Sequence, residues 1–150
     1  MLKSLHILGV VLLLGNSIIS AVWRMRAQRS DSKDIHLFSI KVLKSTDLFF
    51  SVPGILLLIS TGHMLAAQIG GMAAHGWIHM SYTLLAVSII IWLAGLLPLQ
   101  RKQLKLLNET KTLKEAGIRY ETANKWWLIL TSLSTACLIA GLYLMIARPA

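Results

Sequence analysis

Four apolar runs, each about the length of a membrane crossing, alternate with polar stretches along the chain. They cover residues 2–22, 48–68, 77–97 and 126–147. A bilayer core needs about 20 consecutive apolar residues in a helix. Apart from Lys3 at the very start, no run carries an Asp, Glu, Lys or Arg in its interior. Barrel strands would instead be alternating segments of about 10 residues. The pattern predicts an all-α fold, a four-helix transmembrane bundle formed as a single integral membrane domain over residues 1–150.

Composition agrees. Hydrophobic residues make up 55% of the 150-residue chain and charged residues 14%, against about 25% charged in a soluble domain. The single cysteine, Cys137, excludes an internal disulfide and a multi-cysteine zinc site. A secretory signal is not expected at the start. Its apolar core would span about 7–15 residues, whereas this run is longer, is followed by Arg24, Arg26 and Arg29, and has Ile18 and Ile19 where small residues would be needed.

The charge is uneven. Fifteen Lys+Arg against six Asp+Glu give +9. The first loop carries Arg24, Arg26, Arg29, Lys33, Lys41 and Lys44. The third carries Arg101, Lys102, Lys105, Lys111, Lys114 and Arg119, with Lys125 at the next helix start, and residues 69–76 carry neither Lys nor Arg. Basic loops stay on the cytoplasmic side, so both termini and the second loop are expected outside, on the periplasmic face of a bacterial inner membrane. Trp126 and Trp127 fall where an aromatic belt meets the cytoplasmic headgroups, and Tyr143 lies toward the other interface. The expected partners are membrane lipids, especially anionic inner-leaflet headgroups, with a homo-oligomer or a membrane partner protein also open. Nucleic acid is not expected, because no soluble domain offers it a basic surface.

Both basic loops should be helical in part. Asp31, Ser32 and Asp34 can cap a short helix whose apolar side is Ile35, Phe38, Val42 and Leu43. Leu99, Leu104, Leu106, Leu107 and Leu113 among basic residues suggest an interfacial helix or an extension of the third span, with Gly117 as a stop. Asp47, after Ser45 and Thr46, reads as an N-cap or a partner for a loop arginine.

Polar groups inside spans face the bundle or a cavity. At about 100° per residue, His6, Gly9, Asn16, Ser17 and Ser20 share roughly a third of the first helix. By depth, His6, His63, His75 and His79 all fall toward one face of the membrane, while His36 reads as ordinary surface in a basic loop. A neutral imidazole is a ligand for a metal or haem iron. His75 and His79 are four apart, a spacing that suits a metal pair if the third helix begins early, and Met64, Met72 and Met80 lie at the same level.

The stretch Lys3-Ser4-Leu5-His6-Ile7-Leu8-Gly9 with Leu14-Gly15-Asn16, the segment Pro98-Leu99-Gln100-Arg101, and Leu144-Met145 with Pro149 resemble a bacterial family of predicted integral membrane proteins of unknown function. More distantly, the layout is similar to the small haem-containing membrane protoporphyrinogen oxidase and to the membrane domain of copper-resistance protein D. Leu5-His6-Ile7 matches their first helix. Pro53 and Gly62 match the oxidase's second span, and Trp77-Ile78-His79 matches the Trp-Leu-His of its third. The oxidase has a lysine two residues after that histidine; here the position is Ser81.

The expected function is therefore a haem- or metal-binding membrane protein, open to redox activity, with haem b or copper as cofactor. His6 and His79 are the leading ligands, also for a bare metal; His63 and His75 follow, and Asn16 and Tyr82 are supporting hydrogen-bond partners. His6 and His79 are expected to share one ligand, with nitrogens about 4 Å apart, twice a metal–imidazole bond of about 2 Å. The alternative is a non-catalytic accessory subunit or assembly factor with structural histidines and no cofactor. A transporter is disfavoured, because no charge lies mid-span and no internal repeat is visible.

Overall fold

The computed structural model describes residues 1–72 and 75–148. Its helices are α1 (Leu2–Gln28), α2 (Lys33–Thr46), α3 (Val52–Ala67), α4 (Gly76–Ile90), α5 (Leu97–Glu109) and α6 (Leu113–Ala147). A π-helical turn, Asp47–Ser51, joins α2 to α3, and another, Ile91–Leu96, joins α4 to α5. The six helices thus form four long rods, each apolar and long enough to cross a bilayer: Leu2–Gln28, Lys33–Ala67, Gly76–Glu109 and Leu113–Ala147. At 1.5 Å per residue, a rod of 35 residues is about 52 Å long. That exceeds a hydrocarbon core of about 30 Å, so one end of the bundle extends beyond it. The basic loops turn out to be largely the ends of the rods: Arg24 and Arg26 belong to α1, Lys33, Lys41 and Lys44 to α2, Arg101, Lys102 and Lys105 to α5, and Lys114 and Arg119 to α6.

Each π turn sits just ahead of a proline. Pro53 and Pro98 occupy the first turn of α3 and of α5. Within a continuous helix a proline lacks its N–H and crowds the carbonyl four residues earlier. A wider π turn relieves that conflict while keeping the rod continuous.

Polarity is inverted relative to a soluble protein. Asn16, Ser20, Arg24, Asp47, Thr61, Ser81, Ser88, Gln100 and Gln103 are buried, while Ile7, Val11, Phe49, Leu56, Ile90 and Ile139 face outward. Along α1 the buried positions are Gly9, Leu13, Asn16, Ser20, Arg24 and Ala27. The small and polar arc expected there is the packing face, with His6 and Ser17 at its half-buried margin. At one crossing α1 and α3 nearly touch: a Cβ on Gly54 would stand 3.0 Å from the Leu13 nitrogen and 3.1 Å from the Gly9 oxygen. Only glycine allows this approach, which replaces solvent-driven association with close packing.

Contacts are extensive between α1 and α3, between α4 and α6, and between α1 and α6, but α3 and α4 scarcely touch. The second and third rods meet instead through α2 and α5. The bundle is therefore closed at its basic end and splayed at the end that carries the termini.

Several local expectations change. α2 packs through His36, Ser39, Ile40 and Leu43, while Ile35 and Phe38 are exposed. Its inward face is set by contact with α5 and α6 rather than by hydrophobicity alone. His36 is not surface: it is 3% exposed. Its Nδ1 pairs with Tyr120 Oη at 2.8 Å and its Nε2 with the Ser30 carbonyl at 2.9 Å. A carbonyl only accepts, so Nε2 donates to Ser30 while Nδ1 pairs with the Tyr120 hydroxyl. Trp126 faces outward as a belt residue should, but Trp127 is buried, with the Arg24 guanidinium 5.1 Å above its ring. Gly117 does not stop the extension of the third span, which ends at Glu109; it kinks the early part of α6 instead, through a positive φ of 50°.

Candidate functional site

The splay leaves a cavity of about 550 Å³ at the terminal end. Helices α1, α3, α4 and α6 wall it, mostly with leucine, isoleucine and valine, and Lys3 and Arg148 are among its few cations. His6 is on its wall. Its Nδ1 lies 2.9 Å from Thr61 Oγ1, and the single Thr61 hydroxyl proton is directed at the Leu57 carbonyl. Thr61 must therefore accept from His6 Nδ1–H, which leaves Nε2 of the neutral ring as a bare lone pair. Nε2 has no hydrogen-bond partner among the described residues. Opposite is Tyr82. A Cβ on Gly62 would stand 3.3 Å from His6 Cε1 and 3.2 Å from Tyr82 Oη, so imidazole and phenol approach each other over the missing side chain. Tyr82 Oη is itself unpartnered.

The other expected ligands do not join His6 there. His79 is exposed and lies off the cavity wall. The wall of α4 is built from Trp77, Ile78, Ser81, Tyr82 and Leu85, and His79 is rotated about 100° from Ile78, outside that face. The two histidines expected to share one ligand, His6 and His79, are therefore not brought together on this wall. His63 is one residue past Gly62 and likewise turns outward, exposed. His75 is exposed in extended backbone, ahead of the first turn of α4, and stacks on Trp77. It therefore makes no helical pair with His79. Met64 and Met80 are exposed; the sulfur-bearing side chains on the cavity wall are Cys137 and Met145. Among the described residues no three His, Cys, Asp or Glu side chains gather as a metal cluster.

A second polar centre lies deeper, toward the basic end, and the sequence reading missed its connectivity. Asp47 is neither an N-cap nor paired with an arginine. It is buried inside a continuous rod, and its carboxylate accepts from Asn16 Nδ2 (3.0 Å), Ser51 Oγ (3.3 Å), Trp92 Nε1 (3.3 Å) and Gln100 Nε2 (3.2 Å). Asn16 also donates to Ser51 Oγ at 2.9 Å. It thus supports Asp47 and not His6, which is ten residues away, about 15 Å along α1. Arg24 is 1% exposed and pairs with neutral oxygens only, Gln103 Oε1 at 2.8 Å and Asn124 Oδ1 at 2.6 Å. The sequence signal for this centre was two prolines inside apolar rods, each following the π turn that delivers Asp47 or Trp92.

Four apolar rods with a polar interior and a lipid-facing apolar surface define an integral membrane protein of the all-α class. A family model described as predicted integral membrane protein (DUF2269) matches residues 1–149, and the chain belongs to that family. No curated protein and no solved structure matches it.

Proposed function

We propose that the protein binds an apolar cofactor with anionic substituents in the terminal-end cavity, haem b before others, with His6 as its protein ligand. The observation that supports this most is the bare Nε2 of His6 beside about 550 Å³ of largely apolar space. Thr61 fixes the ring tautomer in the way a second-sphere partner orients a metal-ligating histidine. One protein histidine is sufficient for haem in several haem proteins. Lys3 and Arg148 provide positive charge for carboxylate substituents. Bound haem would supply electron-transfer capacity; the chain supplies the ligand, the apolar walls and the Tyr82 hydroxyl. Copper is the second reading, favoured by Cys137 and Met145 on the same wall.

In this reading the terminal end faces the periplasm of a bacterial inner membrane and the basic end faces the anionic cytoplasmic leaflet. Cysteine labelling from outside tests the orientation: Met72→Cys should react and Lys111→Cys should not. Purified protein, titrated in mild detergent with haem and separately with Cu(I), tests the ligand. The expected result is a Soret band that shifts on reduction, is lost in His6→Ala and is retained in His79→Ala. Copper binding without haem binding selects the second reading. Neither ligand binding would leave the accessory-subunit reading, with structural histidines.

A further inference from the structure

Between the two π turns lies a much smaller cavity of about 40 Å³. Asp47 is on its wall, together with Ser20, Gln100, Trp127 and Thr131, none of them more than 5% exposed apart from Asp47 at 9%. Each of the latter four leaves a polar atom without a hydrogen-bond partner: Ser20 Oγ, Gln100 Oε1, Trp127 Nε1 and Thr131 Oγ1. Orphaned polar atoms are rare in folded interiors, and four on one small wall require a polar occupant. Their needs are mixed. The Gln100 carbonyl only accepts, the indole N–H only donates, and the hydroxyls do both. A cation would satisfy the oxygens but oppose the indole N–H, and an anion would oppose Asp47. Water satisfies all of them, and at about 10–15 Å³ per molecule the space holds about three.

Asp47 borders this space with no cation of its own. The groups facing it are Asn16 from α1, Ser51 from its own rod, Trp92 from the other π turn and Gln100 from α5, none of which ionises near neutral pH. The α6 wall adds Trp127 and Thr131, also uncharged. Arg24, the other buried charge at this end, lies over the Trp127 ring and is not on the cavity wall. Leu13 and Leu138 line both cavities, so this apolar pair is the partition between them.

We infer that Asp47 and its water-filled pocket form an internal proton-binding site. As pH falls, the carboxylate takes up one proton from bulk hydronium, relayed through the pocket water, and it releases that proton to bulk by the same route as pH rises. Leu13 and Leu138 insulate the exchange from the terminal-end cavity, as an apolar constriction does in a channel.

Infrared difference spectroscopy on cofactor-free protein in lipid nanodiscs tests this, and its outcome is independent of whether the larger cavity binds haem. The other five acids, Asp31, Asp34, Glu109, Glu115 and Glu121, are exposed, so a buried carboxylic-acid band belongs to Asp47. The band should grow as pH falls, shift on mixing with D₂O, and disappear in Asp47→Asn. Thr131→Val and Ser20→Ala, each removing one pocket hydroxyl, should shift its midpoint, and they carry the test if Asp47→Asn does not fold. No band at any pH that preserves the fold would overturn the inference. So would a band that resists D₂O for hours, which means no water, or one that sodium suppresses, which means a cation site.

Discussion

At the basic end, Ile40, Leu107, Ala116 and Tyr120 close into a core, and side-chain hydrogen bonds cross between rods at Arg24, His36 and Asp47. At the terminal end, α3 and α4 draw apart around about 550 Å³, and the side-chain bonds between rods there include His6 to Thr61 and Ser81 to the Gly141 carbonyl. The difference follows from where apolar surface has somewhere to go. Beyond the hydrocarbon core, water drives Ile40 and Leu107 inward. Within lipid that drive is absent, and only close packing or hydrogen bonds hold helices together. Where neither exists, as between α3 and α4, a space can persist and lipid-soluble ligands can use it.

The largest expected effect is at the closed end. Trp127→Ala removes a large buried side chain from the core shared with Leu43 and Leu96 and should cost about 3–5 kcal/mol, as for aromatic truncations elsewhere. Trp77→Ala, on the wall of the open cavity, should cost clearly less in the same SDS-unfolding titration. Equal losses would remove the distinction between the ends.

Next is the crossing of α1 and α3. Gly54→Ala places a Cβ 3.0 Å from backbone and should destabilise by about 1–3 kcal/mol, the usual range for overpacking. Gly15→Ala on the lipid-facing side meets nothing within 4 Å and should stabilise by about 0.5–1 kcal/mol through helix propensity. Opposite signs in thermal unfolding are the expected outcome.

Asn16→Ala should cost about 0.6 kcal/mol, the average for a hydrogen bond inside a membrane protein. It should leave ligand binding in the terminal-end cavity intact, because its partners are Asp47 and Ser51. Loss of ligand with an unchanged fold would tie the two polar centres together.

The smallest stability change is expected for Thr61→Val, which keeps the shape and removes the acceptor for His6 Nδ1–H. Ligand affinity should nevertheless fall by about 10–100-fold, the range for second-sphere partners of metal-binding histidines. Unchanged affinity would mean that Thr61 does not set the His6 tautomer.

What the sequence determined is the set of properties that follow from one helix at a time. Length and hydropathy fixed four rods, because each must satisfy its own backbone within lipid. Helical angle placed Gly9, Asn16 and Ser20 on one face of α1, and Gly117 was visible as a break, though it kinks α6 rather than ending α5. The terminal-end clustering of histidines was legible as depth, but depth does not say which way a ring turns. His63 and His79 differ from their cavity-lining neighbours by one residue, about 100° of rotation, and only the position of the facing helices makes that difference matter. His36 and Asp47 were misread for the same reason. Their partners, Tyr120 and Gln100, are 84 and 53 residues away, and the burial of a polar side chain depends on partners that local sequence does not contain. The two cavities, and the leucine pair between them, were decided by tertiary structure alone, because a void is a property of how rods fail to meet.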